Sequence, residues 1–181
     1  YFDINELHDG WELEIRPNVR MYYNSVIHLD EGIDIIASTL WAEINPADDF
    51  FIERGVSDFQ RIRNGKFRLN AQRFSKEHEK CRAFIEKAVN ESNADHIIVV
   101  SHHVPSFALM SKEFIGSPIN GAFTSELGNM IAGSRIEYWI YGHSHRNIHG
   151  TIGATKCVCN QLGYINQQEV ADFLPDAVIE I

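Results

Sequence analysis

The sequence predicts a mixed α/β fold, and three segments carry that prediction. Two apolar runs, residues 96–101 and 136–141, have the length and composition of buried strands, and a helix-like segment near residues 122–132 lies between them. Strand, helix and strand in this order form a βαβ unit, in which the strands are parallel and the crossover is right-handed. β-rich runs on either side of this unit predict additional antiparallel strands.

The first fifteen residues are expected to form a short amphipathic helix. Leu7, Trp11 and Ile15 follow one another at a spacing of four residues, which places them on one helix face. Pro17 is expected to end this helix, because proline disfavours helical geometry in the residue before it.

Two β-rich runs, residues 19–29 and 33–41, are predicted to form a hairpin. The Asp-Glu-Gly segment between them supplies Gly32, which accepts the positive φ that tight turns need. The next segment, residues 42–70, is polar and irregular, and we expect a long loop with one short helix around residues 56–62. Loops of that length are commonly functional or disordered.

Residues 71–92 carry the clearest helix pattern. Asn70 is a suitable N-cap, and apolar residues at helical spacing form one stripe: Phe74, Cys81, Phe84, Ile85, Ala88 and Val89. The later helix near residues 122–132 is expected to end at Gly133. Short strands are predicted near residues 149–152, 156–160 and 177–181.

Length and composition limit the class of protein. A chain of 181 residues fits a single domain, residues 1–181, with a sizeable core. The net charge of -9, without a cluster of Lys and Arg, argues against a nucleic-acid-binding surface. No apolar run approaches the roughly 20 residues needed to cross a bilayer, so we expect no membrane span.

The cysteines indicate a reducing compartment. Cys81, Cys157 and Cys159 are odd in number and lack the spacing of a disulfide framework, so a cytoplasmic location is expected. Cys157 and Cys159 would share one face of a strand, where we interpret them as small buried apolar residues.

Two histidine clusters each follow an apolar run. His102 and His103 follow the first predicted strand of the βαβ unit, and His143 and His145 follow the second. Neighbouring parallel strands end at the same edge of a sheet, where sites form in open α/β folds, so His102 should lie close to His143 or His145. Neutral imidazole is the commonest metal ligand, and two histidines separated by one residue project two rings from one turn. The pattern therefore predicts a metal site.

The same residues resemble the motifs of calcineurin-like metallophosphoesterases. Residues 99–102 (Val-Val-Ser-His) resemble the Val-x-x-His motif of that family, and residues 142–145 (Gly-His-Ser-His) resemble its Gly-His-x-His motif. Residues 160–164 (Asn-Gln-Leu-Gly-Tyr) are similar to an Asn-x-x-Gly-Tyr turn that often follows. Residues 38–41 (Ser-Thr-Leu-Trp) are similar to a strand found after the third family motif, and the resemblance spans roughly residues 19–165.

The resemblance implies a β-sandwich flanked by helices, with two divalent metal ions (Mn, Fe or Zn) at the carboxyl edge of the strands. It implies that His102 and His143 bind one ion and that His145 binds the other. Enzymes of this family hydrolyse phosphomonoesters or phosphodiesters, so a phosphate ester is the expected substrate. Two-metal sites favour this chemistry because they stabilise an in-line phosphoryl transfer.

The upstream motifs of the family, Asp-x-His, Gly-Asp and Gly-Asn-His-Glu/Asp, do not occur in this sequence. They would supply the remaining ligands, and Tyr1 falls just beyond the third of them, so we expect the chain to be the C-terminal part of the domain. Catalytic ions usually have about three protein ligands. We therefore expect weak or partial metal binding and no efficient turnover by this chain alone. Missing strands would leave exposed sheet edges, which predicts self-association or pairing with a missing N-terminal segment.

Two further residues are candidates for contact with the substrate. His103 is adjacent to the predicted ligand His102 and is a candidate contact for the substrate phosphate. Arg61 lies in the long loop and is a candidate for recognising an anion, because arginine suits bidentate contacts with phosphate. No catalytic residue is predicted from this chain.

Two alternatives stay open beside this interpretation. One is a non-catalytic metal-binding or interaction module of the same fold. The other is a different metal-dependent hydrolase, which would need a carboxylate ligand from this chain. Asp30, Asp34 and Asp58 are available for that role.

Overall fold

The computed structural model describes residues 2–29, 32–167, 169 and 172–181. Its strands are Trp11–Arg16 (β1), Val19–Tyr23 (β2), Ser25–Leu29 (β3), Ile33–Ser38 (β4), Arg63–Asn64 (β5), Phe67–Arg68 (β6), His96–Ser101 (β7), Tyr138–Ile140 (β8), Gly150–Ile152 (β9) and Thr155–Val158 (β10). Its α-helices are Asp49–Gly55 (α1), Asp58–Arg61 (α2), Ala71–Glu91 (α3) and Gly128–Ala132 (α4). Short 3-10 helices lie at Ile4–Glu6, Pro46–Asp48, Phe107–Leu109, Lys112–Phe114, Asn120–Ala122 and Ile165–Gln167.

Within the described ranges, six strands form a mixed sheet in the order β3-β4-β7-β8-β10-β9. The central strands β4, β7, β8 and β10 are parallel to one another. The edge strands β3 and β9 pair antiparallel with β4 and β10. The predicted mixed α/β class and the parallel strands of the βαβ unit are therefore confirmed. All four parallel strands end at the same edge of the sheet.

Helix α3 confirms the clearest prediction. The side chain of Asn70 accepts a hydrogen bond from the backbone N–H of Arg73 at 2.8 Å, which caps the helix as expected. The predicted stripe is buried, with Phe84 partly so. Ile85 packs with the sheet residue Trp139 in one core cluster, and Phe74 packs with Trp41 in a second. The helix therefore joins the sheet to the N-terminal segment and the long loop.

The helix between β7 and β8 is shorter than the predicted range of 122–132. The carboxylate of Glu126 accepts hydrogen bonds from Ser106 Oγ at 3.1 Å, from the N–H of Phe107 at 3.1 Å and from the N–H of Gly128 at 2.9 Å. These contacts hold the chain before Gly128 as a loop folded onto the residues after β7, so the helix begins only at Gly128.

The predicted N-terminal helix is wrong. After a 3-10 turn, the chain forms β1, which pairs antiparallel with β2. A spacing of four residues fits one face of a helix, but it also fits one face of a strand, because four is an even number. Trp11, Leu13 and Ile15 alternate with glutamates, and this period of two favours the strand.

The hairpin predicted from residues 19–29 and 33–41 is confirmed in part. The end of the first run (β3) pairs antiparallel with the second run (β4), and Gly32 between them has the expected positive φ of 74°. The other two turn residues, 30 and 31, lie outside the described residues. The first run divides at Asn24, which has a φ of 45°, and β2 pairs with β1 instead.

The long loop and the C-terminus also differ from expectation. The loop holds α1, α2, β5 and β6 rather than one short helix. Strands are confirmed at β9 and β10, but residues 177–181 form no strand. The carbonyl of Glu180 accepts a hydrogen bond from the hydroxyl of Tyr138 at 2.9 Å, so this segment is attached through a side chain rather than through a strand ladder.

The cysteines are buried free thiols, as interpreted from the sequence. No helix in the described part of the chain combines the length and the apolar character needed to span a membrane.

Candidate functional site

The carboxyl ends of the parallel strands bring the predicted site residues to one edge of the sheet. The N–H of Gly142, after β8, donates to the carbonyl of His102, after β7, at 3.1 Å. The N–H of His103 donates to the carbonyl of Thr39, after β4, at 3.3 Å. Backbone hydrogen bonds thus continue past the strand ends and fix three loops against one another.

Three imidazole rings pack together at this edge. The ring centroids of His102 and His143 are 4.6 Å apart, those of His103 and His143 are 4.3 Å apart, and those of His102 and His103 are 5.2 Å apart. The predicted approach of His102 to His143 is therefore confirmed. Phe123, from the loop after β7, stacks on His143 with an interplanar angle of 22°.

His143 presents a nitrogen with no hydrogen-bond partner among the described residues. Its Nε2 is buried and unpaired, while the ring hydrogen-bonds to the backbone of Ala122. Burial, and then the charges that His102 and His145 would carry, lower its pKa from 6.5 to about 3. The ring is therefore neutral near pH 7. A neutral imidazole with an unpaired nitrogen lone pair is the state that a metal ion requires.

His102 sits on the open side of the ring cluster and keeps an exposed surface. Desolvation by the surrounding protein lowers the pKa of His102, and the nearby His145 lowers it further. The neutral form is again favoured, so two neighbouring rings of the cluster share the same protonation state.

His103 lies behind the other two rings, with 1% of its surface exposed. Its Nδ1 donates to the carbonyl of Thr39 at 3.1 Å, and its Nε2 is buried and unpaired within the described structure. Burial holds the pKa of His103 well below its usual value. The structure thus places His103 next to His143 rather than on the open side, and its contact with a substrate phosphate stays a prediction.

His145 is held from three directions. Its Nδ1 donates to Glu169 Oε2 at 3.0 Å, and its backbone N–H donates to Gln161 Oε1 at 2.8 Å. The ring of Tyr164 meets the His145 ring edge to face, with centroids 4.5 Å apart. The charge that a protonated His145 would carry lowers the pKa of both His102 and His143.

The backbone of the Gly-His-Ser-His segment is strained. His143 has a φ of 70° and His145 a φ of 51°, values that side-chain-bearing residues seldom adopt. Such conformations persist only where surrounding contacts impose them, and they concentrate at functional sites. In this turn, they project both rings to one side of the sheet edge.

A cleft of about 320 Å³ opens beside His143 and His145. Residues far apart in the chain line it, among them Asp58, Phe114, Phe123, Arg146, Tyr164 and Glu169. Burial raises the pKa of the Asp58 carboxyl, whereas nearby Arg61 lowers it. The long loop therefore contributes one wall of the cleft through α2.

Arg61 lies at the exposed end of α2, the helix that begins at Asp58 on the cleft wall. Its predicted contact with an anionic substrate stays a prediction.

The three carboxylates considered as ligands have different positions. Asp34 lies at the opposite edge of the sheet, where it contacts His28 at 2.6 Å and Ser92 Oγ at 2.6 Å. Asp30 is outside the described residues. Asp58 lines the cleft. Taken over the described ranges, no group of three or more His, Cys, Asp or Glu side chains is arranged to hold a metal ion.

The sequence interpretation missed two residues that support the site. Glu169 belongs to no recognised motif, and it lies 24 positions after His145, so no local pattern indicates the contact between them. Gln161 lies within the Asn-Gln-Leu-Gly-Tyr turn that resembles the family, and that turn was the signal that could have indicated it.

No protein-family model matches the sequence. The chain is similar to an uncharacterized protein of Acanthamoeba polyphaga mimivirus, with 27% identity over 176 residues. The alignment covers 91% of this chain and 61% of the viral protein. The chain thus spans about three fifths of the length of the curated relative that it matches.

Proposed function

We propose that this chain provides histidine ligands to the dinuclear metal centre of a calcineurin-like metallophosphoesterase, which hydrolyses phosphomonoesters or phosphodiesters. The observation that carries the proposal is the buried Nε2 of His143, which has no hydrogen-bond partner among the described residues and lies beside the ring of His102 at the carboxyl edge of parallel strands. On this proposal, the six-stranded sheet is one layer of the family's β-sandwich, and α3 is a helix that flanks it.

The residues present fit part of a metal centre. His102 and His143 are neutral, adjacent imidazoles, and His145 donates its Nδ1–H to a carboxylate in the manner typical of metal-binding histidines. His102 and His143 would hold one ion and His145 the other. Divalent ions bound there would polarise the phosphoryl group and activate water for its hydrolysis.

The chain's own residues position the ligands and the substrate. Phe123 stacks on His143 and restricts the orientation of its ring. The cleft beside His143 and His145 would give a phosphate ester access to these two residues. Its aromatic walls suit an apolar group on the ester.

The ligand set within this chain is incomplete on this proposal. Three histidines shared between two ions are fewer than the roughly three ligands per ion of catalytic sites. The remaining ligands would come from residues outside this chain. The isolated chain should therefore bind divalent ions weakly and hydrolyse phosphate esters poorly.

Hydrolysis of p-nitrophenyl phosphate and bis(p-nitrophenyl) phosphate tests the proposal. The assay uses the natural protein that contains this sequence, supplied with Mn²⁺. Activity should be lost in His143→Ala and in His145→Ala. It should be kept in His149→Ala, which removes an exposed histidine near the same turn. Full activity in His143→Ala would contradict the proposal.

The alternative of a non-catalytic module is favoured by the same incomplete ligand set. If the natural protein binds a divalent ion through His143 but hydrolyses neither ester, this alternative replaces the first. We also propose a cytoplasmic location, which the buried free thiols support because they suit a reducing compartment.

A further inference from the structure

The segment after β10 surrounds His145, and the proposed function leaves its role unassigned. Residues 160–164 have no regular secondary structure, and Glu169 follows them. The carboxylate of Glu169 is 14% exposed and accepts the Nδ1–H of His145. Because an ionised carboxylate only accepts hydrogen bonds, the proton of the neutral ring must be on Nδ1. The lone pair is then on Nε2.

Glu169 is itself held in place. Its Oε2 also accepts the backbone N–H of Tyr164 at 2.7 Å, and Arg146 lies 3.7 Å from its Oε1. The donor N–H of Tyr164 and the nearby guanidinium of Arg146 both favour an ionised carboxylate, which can only accept hydrogen bonds. A fixed acceptor defines both the orientation and the tautomer of the histidine ring.

Gly163 makes the approach of Glu169 possible. It has a φ of 66°, and a Cβ placed on it would lie 2.6 Å from the Cβ of Glu169. Any larger residue at this position would therefore displace Glu169 or residues 160–164. Glycine is therefore required at position 163, because only a residue without a side chain leaves room for Glu169.

Gln161 fixes the backbone that carries the ring. Its Oε1 accepts the N–H of His145, and its Nε2 donates to the carbonyl of Arg146 at 2.8 Å and to Ser144 Oγ at 3.1 Å. One side chain thereby bonds to both sides of His145, whose φ is positive. The backbone and the ring of His145 are therefore set by two residues of the same C-terminal segment.

We propose that Glu169 is a positioning residue, which holds His145 in the Nδ1–H tautomer and so leaves the lone pair of the ring on Nε2. The use of this tautomer in binding a metal ion rests on the proposed function. The assignment of the tautomer rests only on the contacts of His145 and is independent of that function.

Long-range ¹H–¹⁵N NMR of the metal-free chain, at about pH 8.5 where histidine is ordinarily neutral, tests the proposal. Wild type should show a protonated Nδ1 and an unprotonated Nε2 for His145. Glu169→Ala should shift the ring toward the Nε2–H tautomer that free histidine prefers in water. Glu113→Ala is the matched control, because Glu113 pairs with Arg146 but not with His145, and it should leave the tautomer unchanged.

The Gly163→Ala variant gives an independent route to the same result. It changes neither His145 nor Glu169 chemically and should still shift the tautomer, because its methyl group displaces Glu169. An Nε2–H tautomer in wild type overturns the proposal, and so does an unchanged tautomer in folded Glu169→Ala or Gly163→Ala.

Zinc affinity separates this proposal from the proposed function. Glu169→Ala should weaken Zn²⁺ binding by about 10–100-fold, as is typical for partners of metal-binding histidines, and Glu113→Ala should not. If the tautomers behave as stated but His143→Ala binds Zn²⁺ as wild type does, the positioning role stands and the metal centre fails.

Discussion

At the residue scale, the protonation of buried histidines connects the structure to pH. His78 in α3 lies outside the candidate site and has 3% of its surface exposed. Its Nδ1 donates to the carbonyl of Leu40 at 2.9 Å. Burial lowers the pKa of His78 below 6.5. The unfolded chain therefore binds a proton at this position at a higher pH than the folded chain does.

The sign of the resulting pH dependence follows from linkage. Because the folded pKa of His78 is depressed, its neutral state favours folding above the unfolded pKa of 6.5, and this stability is lost as the pH falls below 6.5. We expect the free energy of unfolding to decrease between about pH 7.5 and 5.5. The three packed histidines of the candidate site also have lowered pKa values and contribute with the same sign. His78→Gln should therefore make the decrease shallower without abolishing it, whereas the exposed His149→Gln should leave it unchanged. Urea unfolding at several pH values measures it, and equal slopes in wild type and His78→Gln would contradict the assignment.

The residue scale also shows how far the sequence predicts the site. The approach of His102 to His143 is predictable, because parallel neighbouring strands end at the same edge. The contact of His145 with Glu169 cannot be predicted from the sequence, because it depends on the path of an irregular C-terminal segment. Asp58 reaches the cleft for a similar reason, through a loop whose course no periodicity defines.

At the element scale, a buried hydrogen bond joins the β1–β2 hairpin to α3. The Tyr23 hydroxyl donates to Glu77 Oε2 at 2.7 Å, and Glu77 has 1% of its surface exposed. Removing this donor leaves a buried carboxylate with fewer partners. We expect Tyr23→Phe to reduce stability by about 1–3 kcal/mol, measured by chemical denaturation. Tyr22→Phe, on the other face of β2, should change it by less than about 0.5 kcal/mol, and equal effects of the two would refute this role.

A glycine controls the packing of the β9–β10 turn against α4. Gly153 has a φ of 62°, and a Cβ there would lie 2.7 Å from the Cα of Ala132. Gly153→Ala should therefore add a clash to the backbone strain and destabilise by about 2–4 kcal/mol.

Gly10 provides the matched control for this clash. It has a φ of 78°, but a Cβ there would meet nothing within 4 Å. Gly10→Ala should show the backbone strain alone, about 1–2 kcal/mol. Thermal or urea unfolding compares the two variants. A Gly10→Ala variant as unstable as Gly153→Ala would show that the contact with α4 has no effect.

Elements differ in how well the sequence predicts them. The α3 helix is predictable because its cap and its apolar stripe agree over many turns. The N-terminal segment is harder to predict, because three apolar residues at a spacing of four fit one face of a helix and one face of a strand. The alternation of Leu13 and Ile15 with glutamates favours the strand, and the pairing with β2 stabilises it.

At the scale of the whole molecule, the β1–β2 hairpin presents an apolar face to solvent. Leu13 lies opposite Met21 across the two strands, and Ile15 and Val19 lie beside them on the same face. The exposed fractions of Leu13 and Met21 are 49% and 47%. Such a face, together with the sheet edges at β3 and β9, favours the self-association predicted from the sequence.

Sedimentation velocity over a range of concentrations tests this tendency. We expect the sedimentation coefficient of the chain to rise with concentration. Leu13→Lys combined with Met21→Lys should abolish the rise, because it charges the apolar face. Glu12→Lys, on the opposite face of β1, should leave it unchanged. A constant sedimentation coefficient for wild type at every concentration would contradict the proposal.

Calorimetric titration of the chain with Zn²⁺ tests most directly the claim that the histidines at the carboxyl edge are metal ligands. We expect weak, partial binding that is reduced in His102→Ala and in His143→Ala, because each removes a ligand of one ion, and that is unchanged in His149→Ala. Two tight sites in wild type, or the same binding in His143→Ala as in wild type, would contradict it.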